Sequence, residues 1–205
     1  MYKGGIILKG AQFCLVGVFV VAFALTSCSS GAQIKALPIG SAVPSFALKD
    51  FNGQEHTLAS LKGKIVVLDF SSIECPYSRG TDPSWVELAN QYGPKGVLFF
   101  GIDSHKGTTP DQLKQYATEN KITFPVLKDV NNAYADAVGA TRTPEVFILD
   151  KDQKLVYHGA FDDRKVPEKA GENAYVRKAL DDLLAGNPVK TQEVEAWGCT
   201  IKRAK

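Results

Sequence analysis

The order of apolar and polar positions predicts strands and helices that alternate along the chain. Continuous apolar runs at residues 64–70 and 97–103 are typical of strands buried on both faces of a parallel sheet. Apolar residues that recur every three or four positions predict helices at residues 85–92, 110–120 and 174–185. Strands that alternate with helices favour an α/β domain.

Two predicted hairpins and two short elements complete this pattern. The Asn-Gly pair at residues 52–53 lies between two short apolar segments and predicts an N-terminal hairpin. Residues 145–149 and 154–158 predict an antiparallel hairpin ahead of the last helix. A short strand is expected at residues 124–127 and a short helix at residues 133–138.

The N-terminal segment has the pattern of a secretory signal peptide. A basic stretch without acidic residues, residues 1–9, precedes an almost wholly apolar run, residues 11–25. That run is shorter than the roughly 20 residues that a comfortable bilayer span needs. Residues 25–28, Leu-Thr-Ser-Cys, resemble the bacterial lipobox, which implies a signal peptide of residues 1–27 and lipidation of Cys28. An ordinary signal peptide and an uncleaved anchor are the alternatives, and both also place the domain outside the cytosol.

The rest of the chain then divides into three parts. Residues 28–41 are predicted as a lipidated tether, residues 42–188 as the folded domain, and residues 189–205 as a C-terminal tail that carries Cys199. The domain is long enough to bury a core of its own. The expected location is extracytoplasmic, in the periplasm or cell envelope, with the lipid anchored in a membrane.

Charge and cysteine content narrow the function. The chain has 24 Lys and Arg against 22 Asp and Glu, and two of the lysines belong to the signal segment. The remainder is balanced and has no basic stripe, so nucleic acid is not an expected partner. Cys14 would leave with the signal peptide and Cys28 would be capped, which leaves Cys75 and Cys199 as free thiols in a compartment that tolerates disulfides.

Two motifs resemble those of thioredoxin-like proteins. Residues 69–78, Asp-Phe-Ser-Ser-Ile-Glu-Cys-Pro-Tyr-Ser, follow a strand at the place where that family carries Cys-x-x-Cys. Residues 142–144, Arg-Thr-Pro, resemble its threonine and cis-proline before a strand. Residues 42–202 are most similar to the peroxiredoxin-like redoxin group, related to alkyl hydroperoxide reductase and thiol-specific antioxidant proteins. The resemblance implies a thioredoxin-like α/β fold, a central mixed sheet flanked by helices, with an N-terminal β-hairpin extension.

Cys75 is the candidate nucleophile on physical grounds as well. A cysteine between a buried strand and a helix start faces unpaired backbone N–H groups, which stabilise the thiolate together with the helix dipole. Pro76 suits the first helical turn. The hydroxyl of Ser78 can turn toward the sulfur, and Ser72 stands where peroxiredoxins carry Thr or Ser against the reactive cysteine. The alternative is a buried, inert cysteine that packs as a small apolar side chain.

The chain departs from both family patterns. Ser78 replaces the second cysteine of a thioredoxin motif, and the upstream proline of the full peroxiredoxin signature would fall at Leu68. Cys75 therefore lacks a local disulfide partner. Cys199 is expected to resolve a sulfenic acid on Cys75 and complete a two-cysteine cycle. The alternative for Cys199 is a role in packing or in metal binding.

Four further residues are candidates for the site. Asp69 matches the buried acid of thioredoxin and is expected either to transfer protons or to be a paired structural acid. Thr143 and Pro144, joined by a cis bond, are expected to hold an extended substrate beside the sulfur. Arg142 is a candidate to lower the pKa of the thiolate or to bind a peroxide oxygen, with surface solvation as the alternative.

The sequence thus predicts a membrane-tethered, extracytoplasmic thiol-disulfide oxidoreductase or peroxiredoxin-like antioxidant that uses Cys75 and is resolved by Cys199. The substrate is a peroxide or a protein disulfide, and an external thiol is the reductant. The missing Cys-x-x-Cys favours peroxide chemistry, whereas the missing upstream proline favours disulfide exchange. No metal is expected, because the histidines, His56, His105 and His158, are scattered and share no ligand spacing with Cys75. No cofactor is expected either. The alternatives are a non-enzymatic thioredoxin-like binding module and a copper-delivery protein.

Overall fold

The computed structural model describes residues 35–204, together with residues 1, 2 and 4. The predicted signal peptide and the predicted lipidation at Cys28 lie outside these residues and stay predictions. No helix in the part of the chain that is described has the length and apolarity needed to cross a membrane.

Two long parallel strands form the centre of the sheet, as their apolar runs predict. Strand β3 (Ile65–Ser71) pairs in parallel register with β4 (Val97–Asp103), and the first six residues of β3 are all buried. The remaining strands are β1 (Ala47–Asp50), β2 (Glu55–Thr57), β5 (Val126–Lys128), β6 (Arg142–Thr143), β7 (Glu145–Leu149), β8 (Leu155–Gly159), β9 (Glu193–Val194) and β10 (Cys199–Thr200).

The strands form a mixed sheet and a separate strand pair. Within residues 35–204 the main sheet has eight strands in the order β2-β1-β5-β4-β3-β7-β8-β9, and β10 pairs with β6. The antiparallel pairs β1–β2 and β7–β8 are the two predicted hairpins. Strand β7 runs antiparallel beside β3, and β5 runs parallel beside β4. The arrangement is the mixed sheet with an N-terminal hairpin that the sequence predicts.

Helices cover both faces of the sheet. The four that lie in residues 35–204 are α1 (Pro76–Tyr92), α2 (Pro110–Glu119), α3 (Ala133–Val138) and α4 (Tyr175–Leu184). Ile65 and Val67 of β3 pack with side chains of α1 and α4, whereas Val66 and Leu68 pack with side chains of α3. Burying each of these aliphatic side chains contributes about 1.5–3 kcal/mol. The two cores therefore fix β3 from both sides, and with it the loop that leads to Cys75.

The segment predicted as a tether contacts the domain before residue 42. The backbone N–H of Leu37 donates to the carbonyl of Val138 over 3.2 Å, and that of Gly40 donates to the carbonyl of Leu155 over 2.7 Å. The side chain of Leu37 packs on the core that contains α3. Part of the predicted tether, residues 28–41, therefore packs on the domain predicted for residues 42–188.

The predicted tail, residues 189–205, also packs on the domain. Strand β9 pairs in parallel with β8, and β10 pairs with β6. Val189 and Ile201 are buried, and Ile201 belongs to the core on the α3 side. Because each end of the segment buries an apolar side chain, the part between them is held along the domain surface, and Cys199 with it.

Candidate active site

Cys75 occupies the N-cap position of α1, after the short loop that follows β3. Its N–H donates to the carbonyl of Ser72 over 3.0 Å, and its carbonyl accepts from the N–H of Arg79 over 3.0 Å. Pro76 takes the first helical position, where its missing N–H costs nothing. The Cys75 side chain is only 2% exposed. The predicted placement between a buried strand and a helix start is what the structure shows.

The Cys75 sulfur has two close neighbours. Its Sγ lies 2.8 Å from the Sγ of Cys199 and 3.0 Å from the carbonyl oxygen of Thr143, which accepts from the Cys75 thiol. Both cysteines are free thiols. Although 124 positions separate the two cysteines in the chain, they are adjacent in the fold. A disulfide between them is within direct reach.

Backbone pairing places Cys199 there. In the antiparallel pair of β10 and β6, Cys199 lies opposite Thr143 and Thr200 lies opposite Arg142. Gly198 precedes this pair with φ +106°, and a Cβ added to it would lie 2.3 Å from the Thr143 carbonyl oxygen. Glycine is therefore required where the strand approaches the Thr143 backbone.

The two thiols differ in acidity. Burial raises the pKa of the Cys75 thiol, but hydrogen bonds from the Cys199 thiol and from the N–H of Ser78 outweigh burial, so its pKa lies below the ordinary value. Burial and the neighbouring Cys75 raise the pKa of Cys199 to about 11, although the charge of Lys202 opposes this. The proton of the pair therefore stays on Cys199, and the thiolate forms at Cys75.

Asp69 lies on β3 with its side chain 4% exposed. Burial, then the charges of Asp82 and Cys75, raise the pKa of Asp69 well above its usual range, although a hydrogen bond from Ser71 opposes this. Its Oδ1 has no hydrogen-bond partner among the described residues. The acid is thus neutral over a wide pH range and responds to the charge of Cys75.

A cavity of about 30 Å³ adjoins Asp69 and separates β3 from α2. Its lining includes Ser72 from the Cys75 loop and both Ser78 and Asp82 from α1. A space of this size holds one or two water molecules. The cavity therefore lies between the buried acid and the loop that carries the nucleophile.

Asp82 is a residue of this region that the sequence analysis missed. It lies one helical turn after Ser78 on α1, and it accepts a hydrogen bond from the hydroxyl of Tyr116. Burial raises the pKa of Asp82 to about 6, against the opposing effects of Tyr116 and Arg79. The i, i+4 spacing from Ser78 was the available signal, because it places both side chains on one helix face.

Ser72 and Ser78 brace the loop. The hydroxyl of Ser78 accepts from the N–H of Ser72 over 3.3 Å, and the hydroxyl of Ser72 accepts from the N–H of Glu74 over 3.2 Å. Both serines are buried. Their hydroxyls were expected to contact the sulfur of Cys75, and the structure instead places them on backbone N–H groups of the loop.

The predicted residues of the second motif lie around the two cysteines. The Thr143-Pro144 bond is cis, as predicted. Arg142 is exposed, and its Nη1 donates to the hydroxyl of Thr200 over 3.1 Å. The guanidinium therefore braces the strand that carries Cys199, and it donates to Thr200 rather than to the Cys75 sulfur.

Glu145, which the sequence analysis did not single out, orders the backbone before the cis bond. Its buried carboxylate accepts from the N–H groups of Thr141 over 2.6 Å and Arg142 over 2.7 Å, and it lies 2.7 Å from Nε2 of His158. A buried acid with three donors is well compensated. An acid directly after Thr-Pro, with a histidine in the next strand, was the available signal.

Charged residues join the two cysteine-bearing segments at the surface. Glu74 Oε2 lies 3.2 Å from Nζ of Lys202 and 3.4 Å from Nε2 of His105. These two neighbours lower the pKa of Glu74. The carbonyl of Lys202 accepts from the N–H of Lys106 over 3.2 Å. The residue before Cys75 is thus tied to the segment that follows β10.

No group of three or more His, Cys, Asp or Glu side chains within residues 35–204 is arranged to hold a metal ion. The two sulfurs have no histidine among their hydrogen-bond partners in this part of the chain.

A model of the AhpC/TSA family matches residues 39–158, more than half of the chain. The chain belongs to the AhpC/TSA family. Its similarity to the thiol-disulfide oxidoreductase ResA of Geobacillus thermodenitrificans is 30% identity over 120 residues, which cover 58% of this chain and 68% of ResA. The ResA of Bacillus anthracis is 30% identical over 125 residues, covering 61% of this chain and 71% of that protein. These relatives support a thiol-dependent redox role for this member of the AhpC/TSA family.

Solved structures confirm the thioredoxin-like fold. A hypothetical protein of Sinorhizobium meliloti is 30% identical, with a TM-score of 0.78 over 83% of this chain and 97% of that chain. An uncharacterized conserved protein of Geobacillus kaustophilus is 34% identical, with a TM-score of 0.74 over 82% and 93%. The peroxidoxin BcpB of Mycobacterium tuberculosis, 22% identical with a TM-score of 0.58 over 73% and 91%, shares the fold. The family and fold expected from the two motifs are thereby confirmed.

Proposed function

We propose that this protein is a thiol-disulfide oxidoreductase in which Cys75 is the nucleophile and Cys199 resolves the adduct. The 2.8 Å separation of the two sulfurs carries this proposal. The lowered pKa of Cys75 and the raised pKa of Cys199 assign the two roles, because the thiolate is the attacking species. Relatives named thiol-disulfide oxidoreductases support the same chemistry.

The proposed cycle transfers two electrons. The Cys75 thiolate attacks one sulfur of a substrate disulfide, forms a mixed disulfide and releases the other sulfur as a thiolate that takes up a proton. Cys199 then attacks the Cys75 sulfur, and its proton passes to the second departing substrate sulfur. The substrate leaves as two thiols and the protein holds a Cys75–Cys199 disulfide. An external thiol reductant restores the two free thiols.

Asp69 is the proposed proton carrier of this cycle. The acid is buried, its pKa is raised, and the charge of Cys75 contributes to that shift. Loss of the thiolate charge during attack therefore changes the affinity of Asp69 for its proton. The adjoining cavity, lined by Ser72 and Ser78, lies between this acid and the loop that carries Cys75.

Peroxide reduction is the second candidate, because Cys75 is buried, with 2% of the residue exposed, and a small oxidant reaches such a site more easily than a large one. In that reaction the Cys75 thiolate takes the terminal oxygen of a hydroperoxide, an alcohol leaves after protonation, and a sulfenic acid forms. The Cys199 thiol condenses with it, releasing water and forming the same disulfide. Disulfide exchange is the stronger candidate, since the hydroxyl of Ser72 and the guanidinium of Arg142 are bound to other groups.

One experiment separates these reactions. The reduced protein receives one equivalent of oxidised glutathione or of hydrogen peroxide, and intact mass with peptide mapping follows the Cys75–Cys199 crosslink over time. We expect glutathione disulfide to produce the crosslink quickly and Cys75→Ser to prevent it. Faster crosslinking by peroxide would favour the peroxidase. If neither oxidant produced the crosslink, a non-enzymatic binding module would be the better interpretation.

We also propose that residues 1–27 are a signal peptide and that a lipid on Cys28 tethers the domain to a membrane outside the cytoplasm. The support is the lipobox-like sequence and the basic and apolar segments before it. Labelling of growing cells with a radioactive fatty acid tests this directly. The wild-type chain should take up the label, and Cys28→Ser should not, while Cys14→Ser should leave labelling unchanged.

A further inference from the structure

The backbone beside Pro144, expected to hold an extended substrate, is already occupied by the chain itself. Strand β10 lies in antiparallel register with β6, so Cys199 faces Thr143 and Thr200 faces Arg142. The Thr143 carbonyl oxygen also accepts from the Cys75 thiol. A polypeptide that binds by adding a strand needs free backbone groups at an edge. The pairing of β10 with β6 already occupies the backbone edge at Thr143.

Anchors on both sides hold β10 in this position. Before it, Nε1 of Trp197 donates to the carbonyl of Asp162 over 2.6 Å, and the indole contacts the ring of Tyr77 with centroids 5.3 Å apart. After it, Ile201 is 4% exposed in the core, and its N–H donates to the carbonyl of Thr141 over 3.0 Å. Removing β10 from the edge would expose Ile201 and break both anchoring hydrogen bonds.

Gly198 is a position at which one substitution would disturb this docking. A Cβ there would lie 2.3 Å from the Thr143 carbonyl oxygen and 3.2 Å from Cδ of Pro144, and φ is +106°. Gly186 also has a positive φ, +76°, but a Cβ there meets nothing within 4 Å. Substituting Gly186 by alanine therefore reproduces the backbone strain without the clash.

We propose that the docked strand of residues 198–200 determines substrate size: it excludes extended polypeptide disulfides from Cys75 and admits low-molecular-weight disulfides. This inference rests on the proposed role of Cys75 as the nucleophile. A small disulfide needs no backbone pairing and approaches along the Cys199 side of the pair. A polypeptide disulfide must pair with the backbone of β6 at Thr143, and it can do so only when β10 detaches from β6.

Two probes with the same leaving group test this inference. One is cysteine in a mixed disulfide with thionitrobenzoate, and the other is an unstructured peptide of about ten residues, long enough to add a strand, whose central cysteine carries the same group. In each reaction the Cys75 thiolate forms a disulfide with the probe's cysteine sulfur and releases coloured thionitrobenzoate. The background is the full-length chain with Cys199→Ser, in which Cys14 and Cys28 are also replaced by serine so that Cys75 is the remaining thiol. The Gly198→Ala and Gly186→Ala substitutions are each added to it.

In the Cys199→Ser background we expect the peptide to react at least about tenfold more slowly than the cysteine probe, a barrier difference of about 1.4 kcal/mol. Adding Gly198→Ala should bring the two rates to within about twofold, and adding Gly186→Ala should leave their ratio unchanged. Because both probes react with the same Cys75 thiolate, the ratio of their rates is independent of any general effect of a substitution on folding or on the pKa of Cys75.

Three results would contradict the inference. A peptide that already reacts as fast as the cysteine probe in Cys199→Ser would show that β10 excludes nothing. The ratio of the peptide rate to the cysteine-probe rate could also stay unchanged in Gly198→Ala, or change equally in Gly186→Ala. Either result would show that docking of β10 does not determine this ratio. Failure of the cysteine probe itself to react would refute Cys75 as the nucleophile, and with it both the proposed function and this inference.

Discussion

Cys199 lies opposite Thr143 in the antiparallel pair of β10 and β6, and the Thr143 carbonyl accepts from the Cys75 thiol over 3.0 Å. Thr143 thus contacts both cysteine-bearing segments. The distance between the sulfurs is consequently set by backbone register as well as by side-chain rotamers. A shift of one residue in β10 would turn the Cys199 side chain to the opposite face of the pair.

The acidity of Cys75 depends on a donor at position 199. The Cys199 thiol donates to the Cys75 thiolate and lowers its pKa. We expect the midpoint of Cys75 thiolate formation to lie at higher pH in Cys199→Ala than in Cys199→Ser, because the serine hydroxyl can still donate. The pH dependence of alkylation by iodoacetamide measures this. Equal midpoints in the two variants would show that the donor has no effect.

Asp69 is expected to destabilise the folded protein at neutral pH. Its pKa is raised on folding, mainly by burial. As the pH rises above about 3.9 the unfolded chain ionises this acid while the folded protein keeps it protonated, so stability falls until the raised pKa is reached. Each unit by which folding raises the pKa of Asp69 lowers the free energy of unfolding at neutral pH by about 1.4 kcal/mol.

Asp69→Asn should therefore unfold at higher urea concentration than the wild type at pH 7, and the two proteins should converge toward pH 4. The exposed Asp152→Asn is the matched control and should follow the wild-type curve. Equal stability of Asp69→Asn and the wild type at every pH would contradict the expected shift.

Asp82 is expected to act on Asp69 through its charge. That charge is one of the causes that raise the pKa of Asp69, and Asp82 itself has a pKa of about 6. In Asp82→Asn we expect the Asp69 carboxyl to titrate at lower pH than in the wild type. A titration of the carboxyl carbons by NMR measures the change. An unchanged Asp69 midpoint would show that the two acids do not influence one another.

Glu145 should be important for stability, because removing its buried carboxylate leaves the N–H groups of Thr141 and Arg142 and the ring of His158 without their acceptor. Breaking a buried pair of this kind destabilises by about 3–5 kcal/mol, so we expect a loss of that size for Glu145→Ala. Glu145→Gln should lose less, since its amide oxygen still accepts. Urea denaturation measures both, with the exposed Glu168→Ala as control. A loss in Glu145→Ala no larger than in the control would contradict this role.

Ile201 should couple the stability of the fold to the rate of crosslinking. Truncating a buried isoleucine to alanine costs about 2–5 kcal/mol, and Ile201 is 4% exposed in the core. Ile201→Ala should lower stability by an amount in that range and slow formation of the Cys75–Cys199 disulfide, because the strand is less firmly held. Val130→Ala, at a side chain 63% exposed, is the control for both measurements. Crosslinking at the wild-type rate in Ile201→Ala would show that this anchor is dispensable.

Most of the fold was predictable because its elements carry strong local patterns. The apolar runs of β3 and β4 and the Asn-Gly hairpin turn are legible in the sequence, and the structure confirms them. The short strands β6, β9 and β10 have two residues each, too few for a hydrophobic period, and they exist only through their pairing partners.

Some features of the candidate site were likewise predictable from local sequence, and others were not. The cysteine at the strand-to-helix junction and the cis bond before Pro144 follow from local motifs. The contact of Cys75 with Cys199 does not, because a separation of 124 positions carries no distance information. Glu145 and Asp82 act through groups on other elements, His158 on β8 and Tyr116 on α2, which no single stretch of sequence shows together.

The separation of the two cysteines also affects biosynthesis. Because Cys199 follows Cys75 by 124 residues, a ribosome that adds about 5–20 residues per second needs roughly 6 to 25 seconds to make the intervening chain. During that time the Cys75 thiol of the growing polypeptide lacks its resolving partner and is open to exchange with small disulfides, which leaves a mixed disulfide on Cys75 and releases a thiol. The protein therefore becomes competent for the proposed two-cysteine cycle late in its synthesis, when β10 pairs with β6 and brings Cys199 opposite Thr143.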